Sequence, residues 1–150
     1  MNAQIHDFLT AHDYTAKDLV VFEGFSRGSA NSYPIVAHDR SSTTPMIDVA
    51  VSSSGGATDN YFALTTKSLP ADKLSKIFTG VNWILACGDK DENPTRDGCQ
   101  AMQNSKAFVT AKGATVLGVL SDPNAGHGAL TTSSLNLTQQ MFELIAAKYQ

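Results

Sequence analysis

The 150-residue sequence lacks the features that mark membrane or nucleic-acid-binding proteins. No apolar run approaches the roughly 18 residues that span a bilayer, and no cluster of Lys and Arg could bind phosphates. The formal net charge of −3 is mild, so we expect neither a nucleic acid nor a membrane as partner. Residues 1–7 lack the basic start and apolar core of a signal peptide, and we expect a cytoplasmic location by default.

Cysteine is scarce, because the chain has only Cys87 and Cys99. Two cysteines do not make a disulfide-rich scaffold. A bridge between them would close a short loop and stabilise the fold by roughly 3 kcal/mol. The sequence leaves open whether they form this bridge or remain two free thiols.

The sequence also gives little support for a metal site or a nucleotide site. The histidines at positions 6, 12, 38 and 127 have no ligand-like spacing with one another or with the cysteines. The glycine-rich loop 52–56 lacks the Lys-Ser/Thr ending of a phosphate-binding P-loop. We therefore expect no metal and no cofactor, and we expect this loop to border the pocket without moving protons.

The sequence does have the length and the 42% hydrophobic content of one globular domain, covering residues 1–150. Strand-like and helix-like segments alternate. This predicts an α/β fold with a mostly parallel sheet of about four strands flanked by helices. The strands are expected at residues 18–23, 46–51, 81–87 and 114–120.

The first two helices are predicted from their caps and spacing. Asn2 would cap the first, with Ile5, Phe8 and Leu9 on its inner face. The second follows Gly24 and continues through Ala37, although Pro34 should kink or shorten it.

Three further helices are expected. One covers residues 69–78, and another begins at Asn93-Pro94 and continues to about Lys112. The last would bury a stripe of residues at helical spacing, namely Met141, Phe142, Ile145 and Tyr149.

The strongest chemical signal is Gly24-Phe25-Ser26-Arg27-Gly28, a G-x-S-x-G between a predicted strand and a predicted helix. In a sharp turn of this kind the glycines relieve steric conflict and the serine hydroxyl is pushed out above the sheet. The helix N-terminus behind it offers backbone N–H groups to a developing negative charge. The alternative is a serine in an ordinary strand-helix turn.

Two further signals follow later strands. Gly88-Asp89-Lys90-Asp91 comes directly after the third strand, where active-site groups of parallel sheets gather, and Asp89, Asp91 and Glu92 compete as the acid. Each of these alone is more typical of a solvated loop charge or a helix cap. Gly126-His127-Gly128 lies in the loop after the fourth strand. Asp122 in the same loop is interpreted as a turn-forming residue.

Together, these loops carry a serine, an acid and a histidine in the chain order of the α/β-hydrolases. The three segments resemble that family's nucleophile elbow, G-x-x-D acid loop and histidine loop. The resemblance implies a catalytic triad of Ser26, Asp91 and His127, with the Arg27 backbone N–H in the oxyanion hole. It covers nearly the whole chain, but only the C-terminal half of a complete family member.

The absence of the family's N-terminal half would affect the oxyanion hole and the edge of the sheet. The second oxyanion-hole donor of the family comes from an earlier loop without a counterpart here, and losing one donor typically costs about 10²–10³ in rate. The first strand would expose an unpaired edge, through which we expect pairing in a homo-oligomer or with a missing half. The chain would then be a fragment, a truncated product or half of an assembly.

The resemblance implies a serine hydrolase that cleaves carboxylic esters through an acyl-serine intermediate. Polyester, feruloyl and small acyl esters are all conceivable substrates. The alternatives are a thioesterase or peptidase of the same fold, or a non-catalytic fragment or interaction module that retains the triad residues without assembling the site.

Overall fold

A four-stranded sheet forms the centre of the computed structural model, which describes residues 7, 8, 11 and 18–150. The strands are β1 (Val21–Phe25), β2 (Val49–Ser53), β3 (Asn82–Gly88) and β4 (Thr115–Asp122), side by side in sequence order. Every neighbouring pair is parallel, so the carboxyl ends of all four strands meet at one edge of the sheet. The predicted α/β class and mostly parallel sheet are confirmed.

Helices cover both faces of this sheet and separate its strands along the chain. In chain order they are α1 (Arg27–Ser41), α2 (Asp59–Thr65), α3 (Ala71–Leu74), α4 (Cys99–Ala111), α5 (Ala129–Thr132) and α6 (Leu137–Tyr149). None of those within residues 18–150 has the length and apolar composition needed to cross a membrane.

Two hydrophobic clusters hold these layers together. On one face, helices α1, α2 and α4 pack over Trp83 and Leu85 of β3, and the Trp83 ring stacks on Tyr33 with centroids 5.4 Å apart. On the other face, α5 and α6 pack over the opposite side chains of the same strands, among them Val51 and Ile84. Burial of β3 on both faces explains its nearly continuous apolar sequence.

The predicted strands are confirmed in number, but each lies one to three residues further along the chain than expected. The start is displaced most, by three residues, in β1 and β2; β1 was expected from residue 18 and begins at Val21. Just before it, the Val20 N–H donates to the Asp48 carboxylate at 3.0 Å, so a side chain holds this segment. Such side-chain contacts have no periodic signature in sequence.

Pro34 does not shorten α1, which continues four residues past the predicted end at Ala37. Proline removes the hydrogen bond that position 34 would make to the Ala30 carbonyl. Tyr33, Val36 and Ala37 are fully buried against the sheet, and this packing outweighs the missing bond.

Other helix predictions are corrected by the structure. The segment 69–78 contains only the four-residue α3, and α2 before it was not predicted. Residues 94–97 form turns, so α4 begins at Cys99 and not at Asn93.

The predicted inner faces of the terminal helices are only partly correct. In α6, Met141 and Ile145 are buried, whereas Phe142 is 58% exposed and Tyr149 is also exposed. The buried stripe instead includes Leu137, four residues before Met141. Most of the helix predicted from Asn2 lies outside the described residues; Phe8 is described and is exposed.

Strand β1 is an edge of the sheet, as the resemblance implied. Val21, Glu23 and Phe25 on one side of it are exposed, and β2 is its only described strand neighbour. Association of the chain through this edge stays a prediction.

Candidate active site

Ser26 occupies the turn between β1 and α1 in a strained backbone conformation, with φ 54° and ψ −117°. A non-glycine residue at such a φ costs on the order of 1–3 kcal/mol and persists where the surroundings enforce it. Here the Ser26 N–H donates to the Ser53 carbonyl of the neighbouring strand at 2.9 Å, and its own carbonyl accepts from the Ala30 N–H. The end of the strand and the start of the helix therefore fix the hydroxyl.

The two glycines that flank Ser26 have different roles. A Cβ atom at Gly24 would lie 2.4 Å from the Gly28 carbonyl oxygen, so only glycine fits where the chain doubles back. A Cβ atom at Gly28 would meet nothing within 4 Å. The steric reason predicted for both glycines therefore holds for Gly24 and not for Gly28.

Asp91 is the acid that turns towards the site. It follows β3 and is 5% exposed, whereas the competing Asp89 and Glu92 are exposed. Its Oδ1 accepts the Asn93 N–H at 2.9 Å, and its Oδ2 lies 2.8 Å from Nδ1 of His127. The hydrogen bond within the loop fixes the carboxylate, and its second oxygen orients the histidine.

His127 joins the two ends of the site. Its Nε2 lies 3.0 Å from the Ser26 Oγ, on the side of the ring opposite the Asp91 contact. An ionised carboxylate can only accept, so Nδ1–H donates to Asp91 and Nε2 accepts from the serine hydroxyl. The Phe25 ring packs against the imidazole with centroids 5.0 Å apart. The structure thus brings Ser26, Asp91 and His127 into one hydrogen-bonded chain.

The loops that carry Asp91 and His127 are bound to each other. The Lys90 N–H donates to the Ala125 carbonyl at 3.0 Å, and the Asp89 N–H donates to the Asp122 carbonyl. A Cβ atom at Gly88 would lie 2.2 Å from the Ala125 oxygen, so the approach requires glycine. These contacts set the separation of acid and base.

Cys87 and Cys99 form a disulfide, whereas the sequence left open whether they are bridged or free. The bond joins the end of β3 to the first residue of α4 and encloses the loop that carries Asp91. It therefore restrains the segment that supplies the acid.

Asp122 shapes its loop, as interpreted from the sequence. Its carboxylate accepts the Ser133 hydroxyl at 2.6 Å and the Asn124 N–H at 2.7 Å. These hydrogen bonds, that of Ser133 first, hold the pKa of Asp122 below its ordinary value. Asp122 thus anchors the start of the segment that leads to His127.

The loop after β2 supports the serine turn. A Cβ atom at Gly55 would lie 2.1 Å from the Ser26 carbonyl oxygen, and the Ser54 hydroxyl accepts the Gly128 N–H at 3.2 Å. Gly56 of the loop 52–56 lines a cavity that Ser26 also lines, while Ser52, Ser53 and Ser54 are buried. The sequence indicated that this loop borders the site, but not that it holds Ser26 and the histidine loop.

Two cavities flank the hydrogen-bonded chain. The first, of about 460 Å³, is lined by Ser26 and by residues of α1, α2 and the loop before α4, including Arg27, Asn31, Tyr61, Arg96 and Asp97. The second, of about 370 Å³, contains His127 and Asp91, and Arg96 and Asp97 line it too. Sequence reasoning missed Asn31, Tyr61, Arg96 and Asp97, because no motif marks them.

Arg96 and Asp97 form an ion pair between the two cavities. Nε of Arg96 lies 2.8 Å from Oδ2 of Asp97, and Nη2 contacts the same oxygen. Asp97 is buried and the Arg96 side chain is 71% exposed. The hydrogen bond to Asp97, and then its charge, raise the pKa of Arg96, so the guanidinium stays positive.

One group of side chains has the spacing of a cation site. Among the described residues, only Asp91, Asp97 and His127 each present a ligand atom within 4.8 Å of the others. These atoms are already engaged, Asp91 with His127 and Asp97 with Arg96, and a cation would compete with those contacts.

The Arg27 N–H, expected in the oxyanion hole, belongs to the first residue of α1 and has no partner within that helix. It follows Ser26 directly and lies at the positive end of the helix dipole. Such a group can bind a developing oxyanion.

No protein-family model matches this chain, and no curated protein matches it in sequence. Its structure is similar to that of Zea mays acyl-protein thioesterase 2, with a TM-score of 0.64 and 16% identity over 99% of this chain and 63% of that one. It is also similar to Bacillus cereus carboxylesterase, with a TM-score of 0.61 and 15% identity over 95% of this chain and 57% of that one.

A third similar structure is Pyrococcus horikoshii acylaminoacyl peptidase, with a TM-score of 0.62 and 11% identity over 97% of this chain and 26% of that one. The chain thus spans about three fifths of the length of the thioesterase and the carboxylesterase. The parallel sheet flanked by helices and these similarities identify the fold of the chain as that of the α/β-hydrolases.

Proposed function

We propose that the protein is a serine hydrolase that cleaves carboxylic esters through an acyl-serine intermediate. The observation that carries the proposal is the hydrogen-bonded chain from Asp91 through His127 to Ser26, with contacts of 2.8 and 3.0 Å. It lies at the carboxyl edge of a parallel sheet, where α/β proteins bind ligands.

In the first half of the reaction, the Ser26 oxygen attacks the ester carbonyl while its proton passes to Nε2 of His127. Asp91 stabilises the imidazolium that forms and holds its ring in place. The carbonyl π electrons move to the oxygen, which the Arg27 N–H binds. When this tetrahedral intermediate collapses, the bond to the alcohol oxygen breaks and His127 returns the proton to the leaving alcohol.

In the second half, water attacks the acyl-serine and gives its proton to His127. Collapse releases the carboxylic acid, and the proton returns from His127 to the Ser26 oxygen. The sum is ester plus water to acid plus alcohol, with no oxidant, reductant or cofactor consumed.

The experiment compares the native chain with Ser26→Ala and with Ser75→Ala, which removes an exposed hydroxyl that lines neither cavity. We expect native protein and Ser75→Ala to release p-nitrophenol from p-nitrophenyl butyrate with an initial burst. Ser26→Ala should lose turnover by about 10⁴–10⁶-fold, since the nucleophile is gone. Full turnover by Ser26→Ala would refute the assignment.

A fluorophosphonate probe separates an enzyme from a non-catalytic module. Such a probe labels only a serine activated by a neighbouring base, so we expect Ser26 in folded protein to carry the label, as located by mass spectrometry. Folded chain without label would favour the non-catalytic alternative.

A thioesterase is the second candidate, favoured by the similarity to a structure described as an acyl-protein thioesterase. The same triad chemistry serves a thiol leaving group. Turnover of matched oxygen and sulfur esters of one acyl group, with the corresponding anilide as a peptide-like comparison, ranks ester, thioester and amide hydrolysis.

A further inference from the structure

The two cavities differ in which part of the triad they reach. Ser26 and Arg27 line the first cavity, and His127 lines the second. The attacked carbonyl carbon must lie beside the Ser26 Oγ, and its oxygen must lie beside the Arg27 N–H. The acyl group attached to that carbonyl therefore has the first cavity next to it.

The first cavity carries an excess of positive charge. Arg27 and Arg96 line it, and its one acid, Asp97, is bound to Arg96. Among residues 18–150, no ion pair engages Arg27. The walls thus sum to one positive charge beside the nucleophile, in a chain whose formal net charge is −3.

Contacts within the protein already orient the Arg96 guanidinium for binding an anion. Both of its contacts go to a single oxygen of the buried Asp97, so the guanidinium is fixed in place while most of its surface remains exposed. A guanidinium that is already oriented loses less entropy when it forms hydrogen bonds to a carboxylate.

The neutral polar groups of this cavity also favour a ligand group that accepts hydrogen bonds. The Tyr61 hydroxyl donates to Oδ1 of Asn31, so this hydrogen bond engages the amide oxygen of Asn31. The Asn31 amide group keeps two N–H donors. With the two guanidiniums, the cavity offers mainly donors, the complement of a carboxylate.

We propose that the cavity beside Ser26 takes an acyl group that ends in a carboxylate, so that the substrates are half-esters of short dicarboxylic acids. This inference rests on the proposed ester hydrolysis and specifies its acyl side. Arg96 binds the distal carboxylate, Arg27 adds charge, and the Asn31 amide contributes a hydrogen bond.

The test measures kcat/KM for the mono-p-nitrophenyl ester of adipic acid and for the same ester with the distal carboxylate methylated. The native chain should prefer the free carboxylate by about tenfold or more, as one or two charge-assisted hydrogen bonds provide. Arg96→Gln should bring this ratio close to one, and Arg27→Gln should lower it. Lys106→Gln removes an exposed charge outside both cavities and should leave the ratio unchanged.

Failure of this inference is distinguishable from failure of the proposed function. Turnover that depends on Ser26 but shows no preference between the two esters overturns the inference alone. If Ser26→Ala retains turnover, the hydrolase assignment fails, and adipate binding then tests whether the cavity prefers a second carboxylate. At equal ionic strength, adipate should raise the unfolding temperature of the native chain more than hexanoate does, and it should not raise the unfolding temperature of Arg96→Gln. Equal effects of adipate and hexanoate on the native chain would contradict the proposed cavity.

Discussion

His127 Nε2 lies 3.0 Å from the Ser26 Oγ, although the two residues are 101 positions apart in the chain. They meet because β1 and β4 end at the same edge of a parallel sheet, with β2 and β3 between them. The contact between His127 and Ser26 therefore depends on the order and alignment of all four strands.

Asp91→Asn should lower kcat/KM for p-nitrophenyl butyrate by about 10²–10⁴-fold, because the amide cannot stabilise an imidazolium and favours the wrong tautomer. Asp89→Asn is the matched control, since Asp89 is exposed and lies two positions away, and it should leave the rate essentially unchanged. A larger loss at Asp89 than at Asp91 would reverse the choice of acid.

Gly24→Ala should destabilise the fold by about 1–3 kcal/mol, because its methyl group would overlap the Gly28 carbonyl. Gly28→Ala should be neutral or up to about 1 kcal/mol stabilising, since the space is open and alanine favours a helix. Urea unfolding of both variants provides the measurement. Equal losses at the two positions would show that the close approach is not what requires glycine.

Reduction of the Cys87–Cys99 disulfide should lower the free energy of unfolding by roughly 3 kcal/mol, because the bond closes a short loop in the unfolded chain. Esterase activity should fall as well, since that loop carries Asp91. Unfolding with and without dithiothreitol gives the first quantity. In Cys99→Ser the reductant should have no further effect, and an effect there would point to a different cause.

Acid should destabilise the native chain partly through Asp122. Its folded-state pKa lies below the ordinary value of 3.8, so its contribution to stability is present above that value and is lost as pH falls through the folded-state pKa. Urea midpoints between about pH 6 and 3 should therefore fall more steeply for native protein than for Asp122→Asn. Parallel slopes for the two proteins would contradict this role.

Association through the edge of β1 predicts a molar mass that rises with concentration in light scattering. Val21→Arg places a charge on the exposed side of that edge and should keep the chain monomeric. A monodisperse monomer at all concentrations of native protein would contradict the prediction.

The sequence predicted the sheet well, because β3 and its neighbours are short apolar runs separated by helical segments. It also placed Ser26, Asp91 and His127 on loops after strands β1, β3 and β4. It failed where packing overrides local preference, as in the continuous α1 around Pro34, and it placed Phe142 on the buried face of α6, where the structure has Leu137, Met141 and Ile145. The choice of Asp91 over Asp89 came from a family resemblance, since the residues alone left both open.

By itself, the sequence determined the order of the four strands and the chemistry of three loops, because hydrophobic periodicity and turn residues are local properties. Only the tertiary structure decided that Asp91 turns inward, that Cys87 meets Cys99, and that Arg96 and Asp97 stand between two cavities. Those relationships depend on how strands align and loops dock over distances that no local pattern records.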